Sequence, residues 1–160
     1  MLKYSMRNFI DVIVEAQNKP PLPVLGERPW WIEPLASLTK ELSNENWSWL
    51  EGGCFAFADR LRKAYGGQLW AMARYDEDFD EWNADHAVVK INGQYYDYNG
   101  VFDPETYAVH LAKLDKFRNQ GPYRREMMPK SKINWFEDEW LDQQQWDGLL
   151  RVLKTGLPYA

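Results

Sequence analysis

Cysteine and histidine are scarce in this chain of 160 residues, which holds one Cys and two His. A single cysteine excludes an internal disulfide and favours a reducing compartment, so we expect a cytoplasmic location. Cys54, His86 and His110 are the only soft metal ligands, whereas a structural zinc site takes about four. We therefore expect no metal and no cofactor.

Positive charge and long apolar runs are also lacking. Lys plus Arg number 19 against 24 Asp plus Glu, which gives a net charge of −5. A nucleic-acid binder needs a basic face to neutralise phosphates, so we expect no nucleic-acid partner. No apolar run approaches the roughly 20 residues of a membrane span, so we expect no membrane partner either.

Aromatic residues, in contrast, make up 16% of the chain, including nine Trp. Such side chains fill cores and line grooves and interfaces. Helical spacing of apolar residues predicts helices over residues 5–17, from Pro34 onward, over 54–65 and after Asp103. Strands are predicted over 68–75, 86–91 and 94–99, and the acidic stretch 76–85 is predicted to be a loop. We expect one α+β domain spanning residues 1–160.

The single cysteine, Cys54, follows two glycines and opens a helical stripe. At the first turn of a helix, the macrodipole and the free N–H groups stabilise a thiolate. The same N–H groups can stabilise an oxyanion during acyl transfer. The alternative is that Cys54 is a small buried residue on an apolar helix face.

A predicted hairpin places a base and a polar partner together. Asn92–Gly93 is a two-residue turn signal, so residues pair when their numbers sum to about 185. His86, at the start of the first strand, then shares one face of the ribbon with Asp97 and Asn99. Asp97 is the predicted partner that orients His86, and Asn99 is the second choice.

These residues resemble the papain-like and transglutaminase-like cysteine hydrolases. The resemblance lies in Gly52-Gly53-Cys54-Phe55-Ala56-Phe57-Ala58 and in the run His86-Ala-Val-Val-Lys-Ile, followed by Tyr95-Tyr96-Asp97. It implies N-terminal helices, a nucleophile-bearing helix packed on a small antiparallel sheet, and a core over about residues 45–115. It also implies Cys54 as nucleophile, His86 as base and Asp97 as the group that orients the base.

The resemblance does not supply the second oxyanion donor. Papain-like peptidases carry a Gln six residues before the cysteine, where this chain has Ser48. Ser48, Trp49 and Gly53 are therefore candidates for the oxyanion site or the cleft.

The sequence thus predicts a cysteine-dependent hydrolase or acyltransferase that acts on an amide or ester through a thioester. Peptidase, amidase, deamidase and transglutaminase activities all use this triad, and the expected substrate is a protein or peptide. The alternative is a non-catalytic acidic interaction or inhibitor module, of phage or mobile-element type, that binds a basic partner surface.

Overall fold

The computed structural model of the protein describes residues 19–44, 47–136 and 141–160. The predicted helix over residues 5–17 lies outside them. The described residues form four α-helices and five strands, which confirms an α+β fold. The helices are α1 (Ala36–Leu42), α2 (Cys54–Tyr65), α3 (Pro104–Phe117) and α4 (Gln143–Thr155). The strands are β1 (Gln68–Asp76), β2 (Glu81–Ile91), β3 (Gln94–Asp97), β4 (Gly100–Phe102) and β5 (Arg125–Pro129).

The five strands form one antiparallel sheet in the order β4-β3-β2-β1-β5. Strands β1 to β4 follow one another as a meander, because short turns join each strand to its neighbour. After α3, the chain returns to pair β5 with β1. The β2–β3 pairs Val89–Tyr96 and Ile91–Gln94 confirm the register predicted from the Asn92–Gly93 turn.

The two faces of the sheet bury different sets of side chains. Ala87, Val89 and Tyr96 belong to the main core, together with side chains of α1, α2 and α4. Val88, Met72 and Phe102 form a smaller cluster with residues of α3. The alternation along β2 is the one predicted for the hairpin, since odd and even positions of a strand face opposite sides.

Helix α2 begins at Cys54 and ends at Tyr65, as predicted. Gly66 stops it with a φ of 83°, a conformation that favours glycine. Helix α1, in contrast, begins at Ala36 rather than at the predicted Pro34. The chain from Trp30 to Leu35 forms turns first, and the N–H of Leu35 bonds to the carbonyl of Trp31 at 3.0 Å.

Strand β2 is longer than predicted, and His86 lies within it rather than at its start. The strand begins at Glu81, so only the first half of the acidic stretch forms a turn. The carboxylate of Asp76 holds that turn by accepting the N–H groups of Asp78 and Phe79. The added residues pair with β1 through contacts such as Tyr75–Trp82, whose ring centroids lie 5.3 Å apart.

The sequence pattern does not predict residues 81–85 as part of β2, because a bulge interrupts the alternation of buried and exposed side chains along the strand. Met72 pairs with His86 and Ala73 pairs with Ala84, which leaves Asp85 as the extra residue. A bulge of this kind changes which face the following side chains point to. Across the described ranges, no helix has the length and apolar character needed to cross a bilayer.

Candidate active site

Cys54 is the first residue of α2 and lies 4% exposed. The residue before it, Gly53, caps the helix without a side chain. The N–H groups of the first helical turn have no partner within the helix. The placement at a helix N terminus is the one predicted from the sequence.

The Gly52–Gly53 turn is built around the indole of Trp47. A Cβ on Gly53 would lie 2.6 Å from Cζ2 of Trp47 and 2.8 Å from the carbonyl oxygen of Ser48. Such contacts are shorter than van der Waals distance, so glycine at this position lets the indole approach the start of α2. Trp47 is 6% exposed, and its buried Nε1–H has no partner in the part of the chain that is described.

His86 and Asp97 form a buried pair. The Nε2 of His86 donates to Oδ2 of Asp97 at 2.9 Å, and the two residues are 0% and 5% exposed. The other carboxylate oxygen, Oδ1, accepts the backbone N–H of Asn99 at 2.8 Å. The carboxylate is therefore fixed from both sides, and it holds the orientation of the imidazole.

The surroundings of His86 favour its protonated form. Burial has the largest effect and lowers the pKa. The hydrogen bond with Asp97 and the electrostatic interactions with Asp97 and Cys54 together outweigh burial and raise the pKa from 6.5 to about 9. The imidazole is therefore cationic at neutral pH.

The second ring nitrogen of His86, Nδ1, is the one left to interact with Cys54. Among the residues described, it makes no hydrogen bond of ordinary geometry, yet Cys54 acts on the ring strongly enough to raise its pKa. A loose contact of this kind is typical of a nucleophile and its base before substrate binds. The structure thus brings Cys54, His86 and Asp97 together.

The other predicted site residues have different partners. Asn99 lies in the turn after β3, and the ladder between β2 and β3 ends at Val89–Tyr96, so Asn99 does not pair opposite His86. Its contribution is the backbone N–H that supports Asp97. His110 is exposed on α3.

The predicted oxyanion candidates are engaged elsewhere. The exposed hydroxyl of Ser48 accepts the N–H groups of Leu50 and Glu51. The indole of Trp49 donates to Oγ1 of Thr39 at 2.8 Å. The N–H of Gly53 bonds to the carbonyl of Ser48 at 2.9 Å. Within the described ranges, the buried indole N–H groups of Trp30, Trp47, Trp70 and Trp135 have no partner, and among these Trp47 is the indole that lies against the Gly52–Gly53 turn.

Two aromatic rings beside His86 were not identified as site residues from the sequence. The ring centroids of Phe102 and Tyr107 lie 5.4 Å and 5.0 Å from that of His86. Tyr107 lies on the helix predicted after Asp103, but the helical spacing alone does not tell which strand its ring contacts. Trp47 is not identified as a site residue from the sequence for the same reason, since only the folded chain shows which indole lies against Gly52 and Gly53.

The site is closed to solvent in this structure. Among the described residues, surface pockets lie between β1 and the Gly121–Arg124 segment, beside α3, and near Arg62 and Lys130. None of these three is lined by Cys54, His86 or Asp97. Within the described ranges, no three His, Cys, Asp or Glu side chains group into a metal site.

A comparison with protein-family models found a matching family. The model described as "Phage YunG-like protein" matches residues 32–140, which is more than half of the chain. The chain belongs to the Phage YunG-like family. The span that matches the Phage YunG-like model includes Cys54, His86 and Asp97, and it ends before α4. No curated protein and no solved structure matches the chain.

The raised pKa of His86 predicts a pH-dependent stability. The folded-state pKa of about 9 exceeds the ordinary value of 6.5, so the stabilisation is complete below pH 6.5 and is lost as pH rises through 9. Since one pKa unit corresponds to about 1.4 kcal/mol, the loss is on the order of 3 kcal/mol. Urea unfolding at pH 6 and pH 10 measures it.

The variant His86→Gln is the control for this measurement, because it removes the titrating group. We expect the difference between the two pH values to shrink by that amount in the variant. An equal difference in both proteins would show that His86 does not carry the linkage.

Proposed function

We propose that this protein is a cysteine-dependent hydrolase or acyltransferase of papain-like or transglutaminase-like type, acting on an amide or ester carbonyl. The observation that carries the proposal is the buried Asp97–His86 pair with Cys54 next to it at the N terminus of α2. A protein or peptide in the cytoplasm is the proposed substrate.

The first half of the reaction uses Cys54 as nucleophile. Its thiolate attacks the carbonyl carbon, a C–S bond forms, and the π electrons of the carbonyl move onto oxygen. When the C=O bond forms again, the bond to the leaving amine or alcohol breaks. The His86 imidazolium gives its proton to that leaving group, and a thioester remains on Cys54.

The second half of the reaction releases the acyl group. Neutral His86 takes a proton from water or from an acceptor amine as it attacks the thioester. The C–S bond then breaks and the thiolate and imidazolium form again. Asp97 accepts the hydrogen bond from Nε2, which keeps Nε2 protonated and Nδ1 directed away from the carboxylate.

Trp47 is the side chain that we propose to donate a hydrogen bond to the oxyanion. Its indole N–H is buried, unpartnered in the described structure and next to the turn that precedes Cys54. With the N–H groups at the start of α2, it would donate to the oxygen that becomes negative. A buried donor without a partner costs stability, which a role in binding an anion would explain.

Acylation by p-nitrophenyl acetate tests the covalent step. We expect p-nitrophenolate release together with an acetyl adduct on Cys54, seen by mass spectrometry of the intact protein and its peptides. Cys54→Ala should lose both signals while its circular dichroism stays unchanged, because little volume is removed. Release of p-nitrophenolate at the original rate by Cys54→Ala would contradict the proposal.

A matched pair of variants extends the same assay to Asp97. Asp97→Asn should lower the acylation rate about 10²-fold or more, because the imidazolium loses its carboxylate. Asn99→Ala should change it little, because the backbone N–H that supports Asp97 is retained. The reverse order of effects would remove Asp97 from the orienting role.

Removal of the indole N–H tests Trp47. Trp47→Phe should lower the deacetylation and acylation rates about 10²-fold, the usual effect of losing one oxyanion donor. Trp49→Phe is the matched control: it removes an indole that donates to Thr39, so it should lower stability and leave the rates nearly unchanged. Equal rates in wild type and Trp47→Phe would exclude this donor.

A second candidate function is an acidic module that binds a basic partner surface without turnover. The observation that favours it is the closure of the site, since Cys54 is 4% and His86 0% exposed. The family description, together with the net charge of −5, fits the phage-type alternative. For such a module, the acetyl adduct on Cys54 would not form under any of the conditions above.

A further inference from the structure

Two aromatic rings cover the His86 imidazole on the side of α3. The ring of Tyr107 lies 5.0 Å from that of His86 with an angle of 30° between the planes. Phe102 lies 5.4 Å from His86 and 5.0 Å from Tyr107. The three rings are thus in mutual contact.

The chain holds Tyr107 firmly in this position. Phe102 ends β4, and Asp103 directly after it caps α3 by accepting the N–H of Glu105 at 3.1 Å. The hydroxyl of Thr106 also donates to the carboxylate of Asp103 at 2.7 Å. The backbone N–H of Tyr107 donates to the backbone carbonyl of Asp103 at 3.1 Å. The capped first turn therefore fixes the ring relative to the sheet that carries His86.

We propose that Tyr107, with Phe102, is a positioning residue whose ring faces hold the His86 imidazole and favour its cationic form. An aromatic face carries negative charge density and attracts a cation, most strongly where water is excluded. His86 is fully buried, so this attraction is not screened by solvent. The inference rests on the proposed function for its catalytic meaning, because the cation is the acid that protonates the leaving group.

The charged groups around His86 also affect its pKa, separately from the two rings. Asp97 on β3 and Cys54 on α2 raise the pKa of His86, and burial lowers it. The phenol of Tyr107 is neutral over the working range, because burial, followed by the charges of Cys54, Asp85, Asp97 and Glu51, raises its pKa to about 12. The proposal therefore assigns the effect to the ring and not to an ionised hydroxyl.

The test is an NMR titration of the histidine Cε1–H signals, which requires no substrate. The chain has two histidines, so His110→Gln assigns the His86 signal and exposed His110 serves as an internal reference. We expect Tyr107→Leu to lower the pKa of His86 from about 9 to about 8. Tyr107→Phe should leave it unchanged, because the ring is kept.

Tyr95→Leu is the matched control, since Tyr95 packs on the same cluster and contacts Trp70 rather than His86. It should not move the titration of His86. If Tyr107→Leu does not fold, Phe102→Leu offers the same measurement from the other ring.

Two results would overturn the proposal. The pKa of His86 could be the same in wild type and in the leucine variant, which would make the ring contact plain packing. Alternatively, Tyr107→Phe could lower it as much as Tyr107→Leu, which would assign the effect to the hydroxyl. Either result is independent of the acylation assay, so failure of this inference and failure of the proposed function are distinguishable.

Discussion

The burial of a cationic imidazole beside a carboxylate is the constraint on which the candidate site depends. Removing a charged group from water costs several kcal/mol unless it is paired and hydrogen-bonded. His86 meets that condition through Asp97, which is itself held by the backbone of Asn99. The pairing requires the hairpin register of β2 and β3, so the geometry of the site depends on the local turn at Asn92–Gly93.

The second half of the site comes from close packing at the start of α2. Two glycines allow the ring of Trp47 to lie against the turn before Cys54. The resulting helix start combines free backbone N–H groups with a buried indole N–H, which is a favourable place for a negative charge. Cys54 therefore lies at this helix start and next to the His86 imidazole, the two features on which its proposed nucleophilic role depends.

Local signals in the sequence predicted the parts of this site that depend on nearby residues. The helical stripe from Cys54 and the two-residue turn before Gln94 led to α2, to the register of the hairpin and to the Asp97–His86 contact. Contacts between distant segments were missed. The bulge at Asp85 interrupts the alternation along β2, so the sequence pattern does not predict the first half of that strand. No local pattern shows that Trp47 lies against Gly53 or that Tyr107 covers His86.

The central claim, that Cys54 is activated by His86, is tested most directly by the rate of alkylation with iodoacetamide from pH 5 to pH 9. The chain has one cysteine, so the reaction reports on Cys54 alone. The account predicts fast alkylation at pH 6–7, and a drop of about tenfold or more at that pH in His86→Gln. Slow alkylation at the same rate in both proteins would contradict it.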